Sequence, residues 1–183
     1  LGKGVFLPDN IVQMIRDNNV QGVLQYLRTN KEVGGPHKKV FKALSQALFQ
    51  MKLDVKIRLV DSLPDGNLAE YDPSYKDPIT GQIGLISVTP EGLTASTVLH
   101  EIVHAGTIKV LTKFLAGDYK SLTPAQIDAC DQLQDIMSET KEALGEYYPD
   151  AYKSLIEFVA YSLTEPMLQQ DLATYESGDL IEA

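Results

Sequence analysis

The stretch from Thr94 to Leu115 constrains this chain more than any other. Its centre reads TVLHEIVHAGT, Thr97 to Thr107, with Val98, Leu99, Ile102, Val103, Ala105 and Ile108 packed around two histidines and a glutamate. Thr94 is a candidate N-cap and Gly117 falls just past the end, so the spacing predicts one helix that is apolar on nearly every side. Two imidazoles and a carboxylate inside such a helix need partners, because burying them unpaired is costly. The chain has 3 histidines, and two of them fall in this pattern.

Residues i and i+4 share a helix face, so His100 and His104 point the same way and both can reach one tetrahedral zinc ion. Glu101 lies about 100° around the axis. It is off the ligand line but close enough to address a water on the metal. Zinc draws the pKa of such a water towards about 7, and a carboxylate can then take its proton. This is the chemistry that the H-E-x-x-H pattern carries. The plainer reading is a solvated helix with two histidines by chance, and the apolar residues all around the motif count against it.

A catalytic zinc usually takes three protein ligands and a water. A further histidine six residues after the second, as in the metzincin pattern, is excluded: that position is Val110, and the glycine expected three residues after the second histidine is Thr107. His37 lies far upstream beside a Gly-Pro break and reads as a surface residue. The better candidate is Glu157, within SLIEFVAYSL, where Leu155, Ile156, Phe158, Val159 and Ala160 surround a carboxylate that should not ionise alone. The competing reading pairs Glu157 with Lys153 on a solvated stripe. Asp128, Asp131, Asp135, Glu139, Glu142 and Glu146 rank below it, since they fall on an intervening helix that looks amphipathic and solvated.

The remaining pattern predicts a mixed architecture. DNIVQMIRDN and NNVQGVLQYLRTN read as helices, with Asp9 or Asn10 and Asn18 or Asn19 as N-caps. VGGPH is a break, and Val40, Phe41, Leu44, Ala47, Leu48 and Met51 give the next helix an apolar face. Val55, Ile57 and Leu59 alternate with more polar neighbours and predict a half-buried strand. Ser62 to Gln82 reads as a long loop, a possible lid or specificity element, and IGLISVTP reads as a second strand. A helix from Thr123-Pro124 to near Gly145 and another from near Asp150 to before Pro166 follow, then a tail whose end, YESGDLIEA, reads as loose. The expected organisation is a single domain: helical over 1–52, a small sheet and loop over 53–92, metal-binding helices over 93–166 and a tail over 167–183.

Composition bounds the function. The chain has 183 residues, 44% hydrophobic and 22% charged, which suits one globular domain with a real core. A net charge of -9 and a pI near 4.7 argue against nucleic acid or an anionic membrane as partner and permit a cationic substrate. The single cysteine, Cys130, cannot form an internal disulfide and reads as a helix-packing thiol. Neither a signal peptide nor a run of eighteen apolar residues is evident, so a cytoplasmic or virion-associated location is most compatible. The chain starts at Leu1 rather than Met, which suggests a piece of a longer or processed polypeptide.

His-Glu-x-x-His on one helix with a glutamate from a later helix resembles the gluzincin branch of zinc metallopeptidases, which includes thermolysin. The resemblance implies His100, His104 and Glu157 as zinc ligands and Glu101 as general base. Thermolysin-like enzymes carry an Asp four residues after the third ligand, and this chain has Tyr161 there, so the support behind the ligands differs. The order of NNVQGVLQYL, VKIRLVDSLP, AEYDP, GLISVTP, VLHEIVHAGT and IEFVAYSLTEP is also similar to metallopeptidase-like domains inside very large phage and mobile-element proteins. In zincins an edge strand near the site binds the substrate backbone, and Gly84 to Pro90 is the expected counterpart; an ordinary core strand is the other reading.

The expectation is therefore an α+β, zincin-like fold, mostly helical, with a small mixed or antiparallel sheet and Zn2+ between two helices. It would hydrolyse peptide bonds in a peptide or protein substrate. Tyr147, Tyr148, Tyr152 and Tyr161 are candidates to stabilise the oxyanion, with Tyr161 on the face of Glu157; for each, packing is the competing role. The alternative is a non-catalytic zinc module of a larger protein. No fourth His or Cys is offered nearby to close the site, and Glu101 has no structural duty, so the pattern favours chemistry. A hydrolase acting on a non-peptide amide is a third reading.

Overall fold

The computed structural model describes residues 6–30 and 38–182. The Gly-Pro break and His37 lie outside the described residues. The described chain is α+β: seven α-helices and one three-stranded mixed sheet. It forms two compact units, Leu1–Gly106 and Thr107–Ala183, and the boundary falls inside one helix.

The first unit opens with α1 (Asp9–Arg16) and α2 (Val20–Thr29). Asp9 does not cap α1; Pro8 holds the cap position in extended conformation, and Asp9 lies in the first turn, where its charge suits the helix dipole. Asn19 does cap α2, accepting a 2.8 Å bond from the Gly22 N–H. Between them Asn18 adopts a left-handed φ of 57°, which a short polar side chain tolerates. Its Oδ1 accepts from the Ile57 N–H at 2.9 Å and its Nδ2 donates to Gln82 Oε1 at 2.7 Å, so this turn is tied to the sheet at two places.

After α3 (Lys38–Gln50) come β1 (Lys56–Leu59), β2 (Ala69–Lys76) and β3 (Ile83–Val88). The order is β1-β3-β2, with β3 parallel to β1 and antiparallel to β2. This corrects one expectation and decides another: the segment read as one long loop contains a strand, and of the two readings of Gly84–Pro90 the core strand holds, since it contributes the central strand rather than an edge. The strand was hidden because β2 is polar and carries Pro73, which is tolerated only on an edge. Its register slips between Asp72 and Lys76, where Asp72 Oδ1 takes the Ser74 N–H at 2.9 Å. β3, by contrast, is buried from Gly84 to Val88.

The turn after β2 is organised by Asp77, which is 3% exposed. Its carboxylate accepts from the Thr80 N–H at 2.7 Å, the Tyr75 hydroxyl at 3.0 Å and Lys56 Nζ at 2.7 Å.

Helix α4 (Ala95–Leu115) begins in the first unit, with Thr94 Oγ1 accepting from the Thr97 N–H at 3.2 Å. Every residue from Thr97 to His104 is buried, as the all-round apolar pattern predicts. The helix ends on Gly117, φ +76°, where the Asp118 N–H reaches back to the Lys113 carbonyl and the Gly117 N–H to that of Phe114. These two bonds form a Schellman termination, which needs a left-handed residue at that point.

The second unit contains α5 (Pro124–Leu144), α6 (Leu155–Thr164) and α7 (Pro166–Glu182). Thr123 and Gln126 form a full capping box at the start of α5, and Gly145 is its C-cap. The core gathers Leu111, Phe114, Cys130, Leu155, Phe158, Val159 and Leu168. Phe158 is 1% exposed, and burying such a ring contributes about 1.5–3 kcal/mol. Burial also pushes the Cys130 thiol up, in keeping with a packing role.

Two further expectations are corrected here. Asp150 does not start α6; residues Ala151–Lys153 form a short 3-10 turn and Ser154 is the N-cap. Pro166–Glu182, expected as a tail with YESGDLIEA loose, is a helix. Pro166 both prevents α6 from continuing and opens α7, since proline is well suited to a first helical position. Among the described residues, no helix is long and apolar enough to cross a membrane.

Candidate metal centre

His100, Glu101 and His104 are 9%, 9% and 6% exposed. The imidazole rings lie edge to face, with centroids 4.9 Å apart and planes at 83°, as expected for side chains one turn apart on one face. Their backbone is fixed on both sides. One turn upstream, Thr94 Oγ1 also bonds Thr97 Oγ1 at 2.9 Å. Two residues downstream, a Cβ at Gly106 would lie 2.7 Å from Leu48 Cδ2, so the glycine lets the end of α3 approach the helix closely.

Glu157 is the third residue of α6, and Ser154 Oγ accepts its backbone N–H at 3.2 Å. His100, His104 and Glu157 each offer one ligand atom, and these atoms all lie within 4.8 Å of one another. Glu101 is not a member of this group, which is where the 100° offset from the ligand line puts it. Ligands about 2.1 Å from a tetrahedral zinc are about 3.4 Å apart, so side-chain torsions would have to close at most about 1.4 Å. Two imidazoles and one carboxylate are a donor set that catalytic zinc accepts, and the residues present therefore fit the ion.

The competing residues are placed elsewhere. Asp128, Asp131, Asp135, Glu139 and Glu142 are exposed along α5, and Glu146 is exposed just beyond its C-cap. Lys153, the alternative partner for Glu157, lies 2.8 Å from Asp150 Oδ1 and is 69% exposed. Its ammonium is held above the ordinary lysine range first by the bond to Asp150, with the charge of Glu157 contributing last.

Two of the four tyrosines are engaged elsewhere, and a third is exposed. Tyr147 is 78% exposed. The Tyr148 hydroxyl donates to Asp171 at 2.5 Å, and burial together with that acceptor raises its pKa. The Tyr152 hydroxyl lies 2.6 Å from Thr140 Oγ1. Tyr161 stands one turn after Glu157 on α6 and is half-buried.

Ser154 was not singled out in the sequence, although the signal was there: Ser154-Leu155-Ile156-Glu157 spells S-x-x-E, the signature of a helix start. No protein-family model, curated protein or solved structure matches the chain.

Proposed function

We propose that this protein is a zinc-dependent metallopeptidase with a zincin-like arrangement, in which His100, His104 and Glu157 hold the metal and Glu101 is the general base. The observation that carries the reading is the grouping of two buried histidines with a glutamate 53 positions further on, all three ligand atoms within 4.8 Å. A bound zinc supplies Lewis acidity, drawing electron density from a carbonyl oxygen and making a water molecule more acidic. The rest falls to the chain's own residues. Glu101, beside the ligand line, takes a proton from the attacking water and later passes it to the leaving amine. Its burial keeps competing solvent away from the carboxylate. Tyr161, one turn after Glu157 on α6, would donate a hydrogen bond from its hydroxyl to the developing oxyanion.

The test is cleavage of a peptide library by the zinc-loaded protein, with Glu101→Gln alongside. The wild type should cleave, and the variant should keep zinc while losing about 10²–10⁴-fold in rate. Equal activity in Glu101→Gln would overturn the general-base assignment. A zinc-loaded wild type that cleaves nothing in the library would favour the zinc module without catalysis.

A further inference from the structure

Glu157 is held differently from the two histidines. His100 and His104 lie inside a 21-residue helix, whereas Glu157 is in the first turn of α6. A first turn is where a helix frays, because its N–H groups lack partners within the helix. One of those N–H groups belongs to Glu157 itself, and Ser154 Oγ satisfies it at 3.2 Å. Ser154 is extended, with φ -159° and ψ 162°, and directly follows the 3-10 turn Ala151–Lys153. Tyr152 in that turn is 5% exposed and is locked at both ends. Its hydroxyl bonds Thr140 on α5 at 2.6 Å, and its ring centroid is 5.3 Å from that of Phe158, the residue after Glu157.

We propose that Ser154 is a positioning residue for the third metal ligand: its Oγ, on a segment anchored to α5 by Tyr152, fixes the first turn of α6 and so the direction in which Glu157 leaves the backbone. The inference rests on the metal reading above. An ordinary N-cap contributes stability and nothing else. A cap bonded to the ligand's own N–H also sets ligand geometry, and a metal site loosened by a fraction of an ångström binds less tightly.

The experiment measures zinc affinity by competition with a chromophoric chelator, and metal-free stability by urea unfolding. The variants are Ser154→Ala, Ser154→Gly, Ser154→Thr and, as control, Thr123→Ala. Glycine is nearly as good as serine at a cap position, so Ser154→Gly removes the Oγ bond while sparing the fold. Ser154→Ala and Ser154→Gly should weaken zinc binding about 10- to 100-fold, and Ser154→Thr should restore it. Thr123→Ala breaks the α5 capping box and should lower metal-free stability without changing zinc affinity. Wild-type affinity in Ser154→Gly, or an equal loss in Thr123→Ala, would overturn the proposal. A wild type that binds no zinc would instead bring down the metal reading and this inference with it.

Discussion

Lys56 Nζ lies 2.7 Å from Asp77 Oδ1, and this ion pair closes the turn after β2 onto β1. The Lys56 ammonium, followed by the N–H and hydroxyl of Thr80, holds the Asp77 carboxyl well below the usual carboxylate range. A depressed folded-state pKa means stability that is present above the ordinary value of 3.8 and is lost as pH falls towards the folded one. In urea unfolding, Asp77→Asn should therefore cost more at pH 7 than at pH 3, because below 3.8 the unfolded chain's Asp77 takes up a proton that the folded carboxylate still resists. A cost independent of pH would contradict this role.

Two glycines should respond differently to alanine. At Gly92 a Cβ would lie 2.2 Å from the Leu68 carbonyl oxygen, and the backbone must move. Gly92→Ala should cost about 1–3 kcal/mol. At Gly106 the obstacle is Leu48 Cδ2 at 2.7 Å, the end of a side chain that can rotate, while alanine gains about 1 kcal/mol of helix propensity. Gly106→Ala should be near neutral in chemical unfolding, and equal losses at the two sites would count against these packing assignments.

Helix α7 is part of the fold, and Leu168 shows it: the side chain is 0% exposed in the second unit's core. Leu168→Ala should cost about 2–5 kcal/mol by urea unfolding. A loss below about 0.5 kcal/mol, ordinary for surface positions, would mean that the chain beyond Pro166 does not pack.

What the sequence revealed, and what it hid, follows from the range of the forces involved. The α4 helix, its cap at Thr94 and its end at Gly117 were legible because each rests on local chemistry. So was the capping box at Thr123, and so was the α+β class. β2 was not, since its polar face and Pro73 imitate a loop and only pairing with β3 makes it a strand. That same pairing decides between the edge and core readings of β3, which no pattern within IGLISVTP could do. Glu157 could be chosen by its apolar neighbours, but its closeness to His100 and His104 depends on tertiary packing. The start of α6 was misplaced because Asp150 and Ser154 are both good caps, and only the 3-10 turn between them decides.

Tyr161 departs from the acidic residue that the resemblance to thermolysin-like enzymes would put there. If its hydroxyl donates to the oxyanion, Tyr161→Phe should lower kcat about 10²–10³-fold with zinc content unchanged. If the ring only packs, the variant should keep kcat. Steady-state kinetics on a peptide cleaved by the wild type separates the two.

Two histidines and a glutamate from separate helices are proposed to bind one metal ion. Zinc per chain, measured by elemental mass spectrometry on wild type and Glu157→Ala after loading and dialysis, tests it most directly. The wild type should retain about one zinc, and the variant should lose most of it. A wild type that retains no zinc would contradict the proposal, and TVLHEIVHAGT would then be a buried helix with two histidines and no metal.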